Sequence, residues 1–332
     1  MTGAEERPPR VRLGEAELAG RRIAARALPG GDEAGGALFR FDPVERRILA
    51  RSTGARASVG PDEPEAWRLA IRRAPAGSVL VGPSGETERS RLAFQAAVEG
   101  ARRAGRGVYL LDPDPRDITG SPRDGVVAVF AGLIDGRARS GLEAASAAGI
   151  AAGVLFPIAP GWTTGDSRLD GAARAAADAG ARFVAPIPLV NDGESRRRLV
   201  ETVLALDPGA DSAEELFHRV HHSAWEEESA RASARLREIA RDRGLASLPP
   251  RPAGAAEPRG NSQAAARLEE LAERDPGDEH RFSLLRAAAR WIDESGRDLR
   301  PIVAEGNFRK IFPFGGELAR EAEDSLRTSP WS

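Results

Sequence analysis

Residues 78–112 read SVLVGPSGETERSRLAFQAAVEGARRAGRGVYLLD. The apolar run Val79–Val81 predicts a buried strand, and Gly82-Pro83-Ser84-Gly85 stops it. Thr87 or Ser90 can cap the helix that follows, whose apolar positions Leu92, Ala96, Val98 and Ala101 recur near helical spacing. Gly105 ends that helix, and Val108–Leu111 predicts a second buried strand closing on Asp112. Parallel strands joined through a helix present the loops after them at one edge. Ser84, Gly85 and Glu86 are therefore expected on the same rim as Asp112 and Asp114, where open α/β sheets and barrels hold ligands.

The same rhythm extends outward. Strands are expected at Ser78–Val81, Gly107–Leu111, Val126–Ala131, Ala151–Phe156 and Arg182–Leu189, with alanine-rich helical runs Arg91–Ala104, Gly141–Ala148 and Asp170–Ala179 between them. Alternation of β and α at this period means a parallel sheet with helices outside. Gly105, Gly149 and Gly180 each follow alanine just before a strand, where a left-handed residue closes a helix. Val44–Arg51 alternates as a strand and would complete six βα units, while Pro64–Arg73 reads as a short helix carrying Trp67. The expected architecture is a partial (β/α)6, TIM-like barrel over residues 44–210. It is preceded by an extension or edge strands (1–43) and followed by a helical C-terminal region (211–332) packing on the barrel. Ile302–Gly316, with Phe308, Phe312 and Phe314, is expected to fold back on the main body, because an exposed aromatic cluster would be adhesive.

Composition narrows the chemistry. The chain has 332 residues, a formal net charge of −2 and no cysteine, which excludes disulfides, thiol nucleophiles and cysteine-ligated metal centres. The near-zero charge provides no general attraction for nucleic acid or an anionic membrane. Arg196-Arg197-Arg198 sits among acidic neighbours and reads as a solvated face. The first twenty residues contain no apolar segment, so a cytoplasmic location is the expectation.

The order of features at the strand ends resembles the radical S-adenosylmethionine family. LVGPSGETER is similar, at Gly85, Glu86 and Thr87, to the Gly-Gly-Glu-Pro-Thr-like motif after that family's second strand. AGLID (Ala131–Asp135) resembles its serine-leucine-aspartate turn at Leu133 and Asp135, and FPIAPGW resembles its proline-glycine turn at Pro160-Gly161. The family's CxxxCxxC loop would fall at STGARASVGPDEP (52–64), which offers no thiolate for a [4Fe–4S] cluster. The resemblance thus implies a barrel without reductive cleavage of S-adenosylmethionine. It would act as a binding, partner or scaffold protein that keeps a pocket for an adenosyl or nucleotide-type ligand. Ser84, Gly85, Glu86, Thr87, Asp135, Trp162 and Asn191 are its candidate ligand-binding residues. A protein partner and a small molecule at the rim are both compatible with this reading; nucleic acid and membrane are not the expected partners.

Other chemistries remain open. Asp112, Asp114, Asp117 and Asp135 at strand ends could bind a metal or serve as acid and base in a hydrolase or lyase, although Asp-Pro-Asp-Pro is also turn chemistry. His218, His222 and Glu226, at i, i+4 and i+8, share a helix face with metal-ligand spacing, but no HExxH accompanies them. Lys310, the single lysine, lies among Phe308, Ile311 and Phe312, where burial would tune an amine. Gly82–Thr87 also looks like a phosphate-binding turn, but it lacks the lysine of a P-loop and carries Glu86.

Overall fold

The computed structural model describes residues 10–18, 21–28, 56–58, 64–72, 77–82, 87–121, 124–189, 200, 203–204, 222–252, 259–274, 278–295 and 297–328. The chain divides into two compact units, Met1–Ala255 and Ala256–Ser332.

The first unit is an α/β structure built on one eight-stranded sheet. Its strands are β1 (Arg10–Leu18), β2 (Arg21–Leu28), β3 (Arg56–Ser58), β4 (Ser78–Val81), β5 (Val108–Leu111), β6 (Val126–Ala131), β7 (Ala151–Ile158) and β8 (Phe183–Pro188). They lie in the order β3-β1-β2-β4-β5-β6-β7-β8. From β4 to β8 every neighbouring pair is parallel. β2 is parallel to β4 and antiparallel to β1, which is in turn antiparallel to β3.

Two expectations change at the amino-terminal side. The strand beside β4 is β2, so residues 21–28 belong to the sheet itself; Val44–Arg51 lies outside the described residues. The stretch 52–64, expected as a loop, contributes β3 to the sheet's edge.

The connecting helices are α1 (Pro64–Arg72), α2 (Glu88–Arg103), α3 (Pro115–Thr119), α4 (Gly136–Ala148) and α5 (Asp166–Asp178), and α6 (His222–Asp242) follows β8. Their starts are set by side chains at strand ends. Thr87 accepts the Ser90 N–H, Asp114 accepts the Arg116 N–H ahead of Pro115, and Asp135 accepts the Ala138 N–H. Gly149, with φ 71°, closes α4 in the left-handed conformation.

Side chains alternate between the faces of each strand. Val79, Val81, Val108, Leu110, Ala128, Phe130, Val154 and Val184 join a core that includes residues from α1 to α6. The opposite face carries Leu80, Tyr109, Leu111, Val127, Val129, Leu155, Phe183, Ala185 and Ile187, all buried. Burial on both faces explains why these strands read as unbroken apolar runs.

After α6 the chain runs along the amino-terminal ends of the strands. Ala246 bridges to Phe183 in parallel, Val184 donating to the Ala246 carbonyl at 2.9 Å. The Tyr109 hydroxyl then donates to the Pro250 carbonyl at 3.0 Å. At Gly107, a Cβ would stand 2.2 Å from the Pro252 oxygen, so only glycine admits this approach. Residues 246–252 thus connect the start of β8 to the start of β5.

The second unit is helical: α7 (Arg259–Arg274), α8 (Glu279–Glu294), α9 (Arg300–Ala304), α10 (Phe308–Ile311) and α11 (Gly316–Arg327). Ala265, Leu268, Phe282, Leu285, Ala289 and Leu326 are among its buried residues. The aromatic segment expected to fold back on the main body packs within this unit's own core. Phe308 stacks on Phe312 with centroids 4.8 Å apart, and Trp291 meets Phe312 edge-on at 5.2 Å. Asn261, buried in α7, donates to the Arg297 carbonyl at 2.7 Å and the Ser295 hydroxyl at 2.8 Å, and accepts the Leu299 N–H at 3.1 Å. No helix among the described residues is long and apolar enough to cross a membrane.

Candidate functional site: the carboxyl edge of the parallel strands

The loops after β4 to β8 share one edge, as parallel pairing requires. At its centre the chain leaves β5 through Asp112, which adopts φ 41° and is the one non-glycine with positive φ among the described residues. Aspartate tolerates this region better than most residues, yet the conformation is still costly. It is held from two sides. The Asp112 N–H donates to the Val129 carbonyl at 2.9 Å, and its Oδ1 accepts the Ala131 N–H at 2.9 Å. Gly82, with φ 139°, lies alongside; a Cβ there would stand 2.4 Å from the Leu111 oxygen.

Asp112 as a residue retains partial exposure, but its carboxyl group lies deep. Desolvation dominates and pushes the acid up to about 7, with Asp135 adding to the rise; the Ala131 N–H and the Arg137 charge oppose it. The neighbouring carboxylates behave differently. Asp114 is held at about 2, first by its hydrogen bond to the Arg116 side chain, 2.9 Å from Nε to Oδ1. Asp117 is buried and its Oδ1 accepts from Arg91 Nε and Gln95 Nε2, each at 3.4 Å. Asp135 is exposed and caps α4.

The other half of the edge is filled by apolar packing. Trp162 is buried with Ala159, Leu189, Val203 and α6's Trp225 in the cluster on the sheet's second face. Thr163 Oγ1 accepts the Ala159 N–H at 2.8 Å, and Trp225 Nε1 donates to the Leu189 carbonyl at 2.7 Å. Thr164 donates to Glu228 at 2.7 Å, tying the loop after β7 to α6. Trp162, a candidate for stacking on a ligand, is thus a core side chain whose ring stabilises the end of β7.

Ser84, Gly85, Glu86, Asn191 and His218 lie outside the described residues. Thr87 Oγ1 is engaged in capping α2, 2.8 Å from the Ser90 hydroxyl. His222 opens α6, and Glu226 is exposed on it. Lys310 belongs to the second unit, where it is exposed and donates to Asn307 at 2.9 Å instead of being enclosed by the phenylalanines. Among the described residues no group of three His, Asp or Glu side chains is placed to hold a metal ion.

The edge can therefore offer a ligand the Asp112 acid, raised to about 7 and tied by two hydrogen bonds to β6, beside the glycines that follow β4 and β6. Sequence reading placed Asp112 there but missed its conformation and its tie to Ala131. No protein-family model matches the chain, and a search of curated proteins finds no relative.

Proposed function

We propose that the first unit is a partial, TIM-like barrel resembling the radical S-adenosylmethionine fold without its cluster. It acts as a binding protein whose ligand sits at the carboxyl edge of β4, β5 and β6. The observation that carries this reading is the sequential order of the parallel strands. Five parallel strands, β4 to β8, follow in sequential order, so the loops after them open at one edge. Open and closed α/β sheets alike bind ligands at the carboxyl ends of their strands. The chain's lack of cysteine leaves binding, partner or scaffold roles in place of cluster chemistry.

The test is thermal unfolding of the full chain with S-adenosylmethionine, adenosine and other adenosyl compounds. A bound ligand at 100 times its dissociation constant stabilises by about 2.7 kcal/mol. Absence of a shift with every adenosyl compound removes the adenosyl pocket and leaves the scaffold role alone.

A second reading rests on Asp112. A carboxyl brought to about 7 is matched to proton transfer at neutral pH, as an acid–base hydrolase or lyase requires. Turnover of an ester or lactone substrate panel, lost on Asp112→Asn, would favour that enzyme over the binding protein.

A further inference from the structure

The strands beside β4 are written in alternation: Arg10-Val11-Arg12-Leu13 in β1, Ala25-Arg26-Ala27-Leu28 in β2 and Arg56-Ala57-Ser58 in β3. Their register aligns the charges. Arg12 stands opposite Arg26 in one neighbour and opposite Arg56 in the other, with Arg10 two residues along. Directly opposed positions share a face of a sheet, so one row of arginines crosses three adjacent strands. The apolar positions take the other face, where Ala25 and Ala27 stand opposite the core residues Val79 and Val81. Because β2 is parallel to β4, both end at the carboxyl edge, and Arg26 is level with Leu80, two residues before Gly82.

The row departs from the way this chain places its other arginines. On the helices of the same unit opposite charges adjoin: Arg91 with Glu88, Arg102 with Glu99, Arg139 with Glu143 and Arg174 with Asp170. Beyond the irregularity in β1, Glu17 stands opposite Arg22 in the same manner. The aligned stretches 10–13, 25–28, 56–58 and 78–81 hold four arginines and no carboxylate. Like charges at directly opposed positions are unfavourable, and an anion laid across them turns that contribution favourable.

We propose that the row Arg12, Arg26 and Arg56, with Arg10 beside it, binds the phosphates of a nucleoside di- or triphosphate at the carboxyl edge next to β4. The inference rests on reading that edge as a ligand site, and it narrows the ligand from adenosyl compounds in general to phosphorylated ones. Guanidinium groups suit phosphate because their forked N–H donors meet two oxygens at once. Neighbouring strands lie about 4.8 Å apart, so the row extends over roughly 10 Å and has room for more than one phosphate. Nucleic acid is the poorer occupant, because a chain of net charge −2 exerts no general pull on a long polyanion.

The experiment is calorimetric titration and thermal unfolding of the full chain at fixed ionic strength, with inorganic tripolyphosphate, ATP and adenosine as probes. Both phosphates should bind. Arg12→Gln and Arg26→Gln should each weaken them by about tenfold. Arg56→Gln repeats the test in the three-residue edge strand, where folding is least disturbed. Arg22→Gln removes the same charge away from the row and should bind as wild type does, as should Asp112→Asn. Unliganded variants that melt at the wild-type temperature or above separate lost binding from lost fold. The inference is overturned if ATP and tripolyphosphate leave wild type unmoved, if the row variants bind them undiminished, or if Arg22→Gln loses as much as Arg12→Gln. Binding of a thymidine oligonucleotide in place of the small phosphates also overturns it, in favour of a nucleic-acid surface. The two readings fail separately. A wild type stabilised by adenosine or S-adenosylmethionine but not by phosphates keeps the adenosyl pocket and removes the arginine row. Tripolyphosphate binding with no response to either adenosyl compound keeps the phosphate site and discards that pocket.

Discussion

The carboxylate of Asp112 accepts the backbone N–H of Ala131 at 2.9 Å, so a side chain at the end of one strand completes the hydrogen bonding of the next. The same residue has φ 41° and an acid raised to about 7. Structure and titration are therefore joined at a single position in the middle of the rim.

That joining makes stability depend on pH in a definite sense. In the unfolded chain Asp112 ionises near 3.8, whereas in the fold it holds its proton to about 7. Between those values the folded state binds the extra proton, so stability falls as pH rises and levels off above 7. Asp112→Asn keeps an oxygen for the Ala131 N–H and suits the left-handed backbone. It should be neutral below pH ~4 and stabilise progressively up to pH ~7, by on the order of 2 kcal/mol after allowance for partial exposure. Chemical denaturation of wild type and variant across that range measures the difference. A constant gap at all pH values would contradict the assignment.

The crossing of residues 246–252 can be probed at Gly107. Gly107→Ala drives a methyl into the Pro252 carbonyl, and overpacking of this kind costs about 1–3 kcal/mol. Tyr109, the chain's single tyrosine, hydrogen-bonds Pro250 in the same segment. Its ultraviolet absorbance should shift toward that of a solvated phenol in the variant. A lower denaturation midpoint with unchanged tyrosine absorbance would mean that the two contacts are not coupled.

In the second unit, Asn261→Ala leaves the Leu299 N–H and the Arg297 carbonyl without their side-chain partner. Stranded polar groups at buried positions should cost about 2–3 kcal/mol. Amide hydrogen exchange on the full chain is the measurement: protection at Leu299 and along α7 and α8 should fall while β4–β8 remain protected.

Trp225→Phe removes the indole donor to the Leu189 carbonyl but retains most of the apolar volume. A loss of about 1 kcal/mol in thermal or denaturant unfolding is expected. If Trp225 instead stacked on a ligand, stability without ligand would be unaffected and binding alone would suffer.

Strands β4 to β8 were legible because each is buried on both faces and so is written as an uninterrupted apolar run, from SVLV to VVAVFA. The caps at Asp114 and Asp135 follow from local chemistry in the same way. β2 was harder to read: Arg21, Arg22 and Arg26 interrupt it, and its pairing with β4 is set by residues far away in sequence. The run ASLPPRP looks like a linker, yet its carbonyls meet Tyr109 and Gly107; proline's missing N–H does not prevent acceptance. Asn261 resembles any polar helix residue, since its partners are more than thirty positions away. At the site, sequence placed Asp112 at an edge but carries no sign of its backbone angle, which long-range hydrogen bonds to β6 impose.

The run from Ala246 to Pro252 ties together two strands that do not touch each other. It fastens the starts of β5 and β8, between which β6 and β7 lie in the sheet. Loosening this one segment should therefore be felt at both strands together.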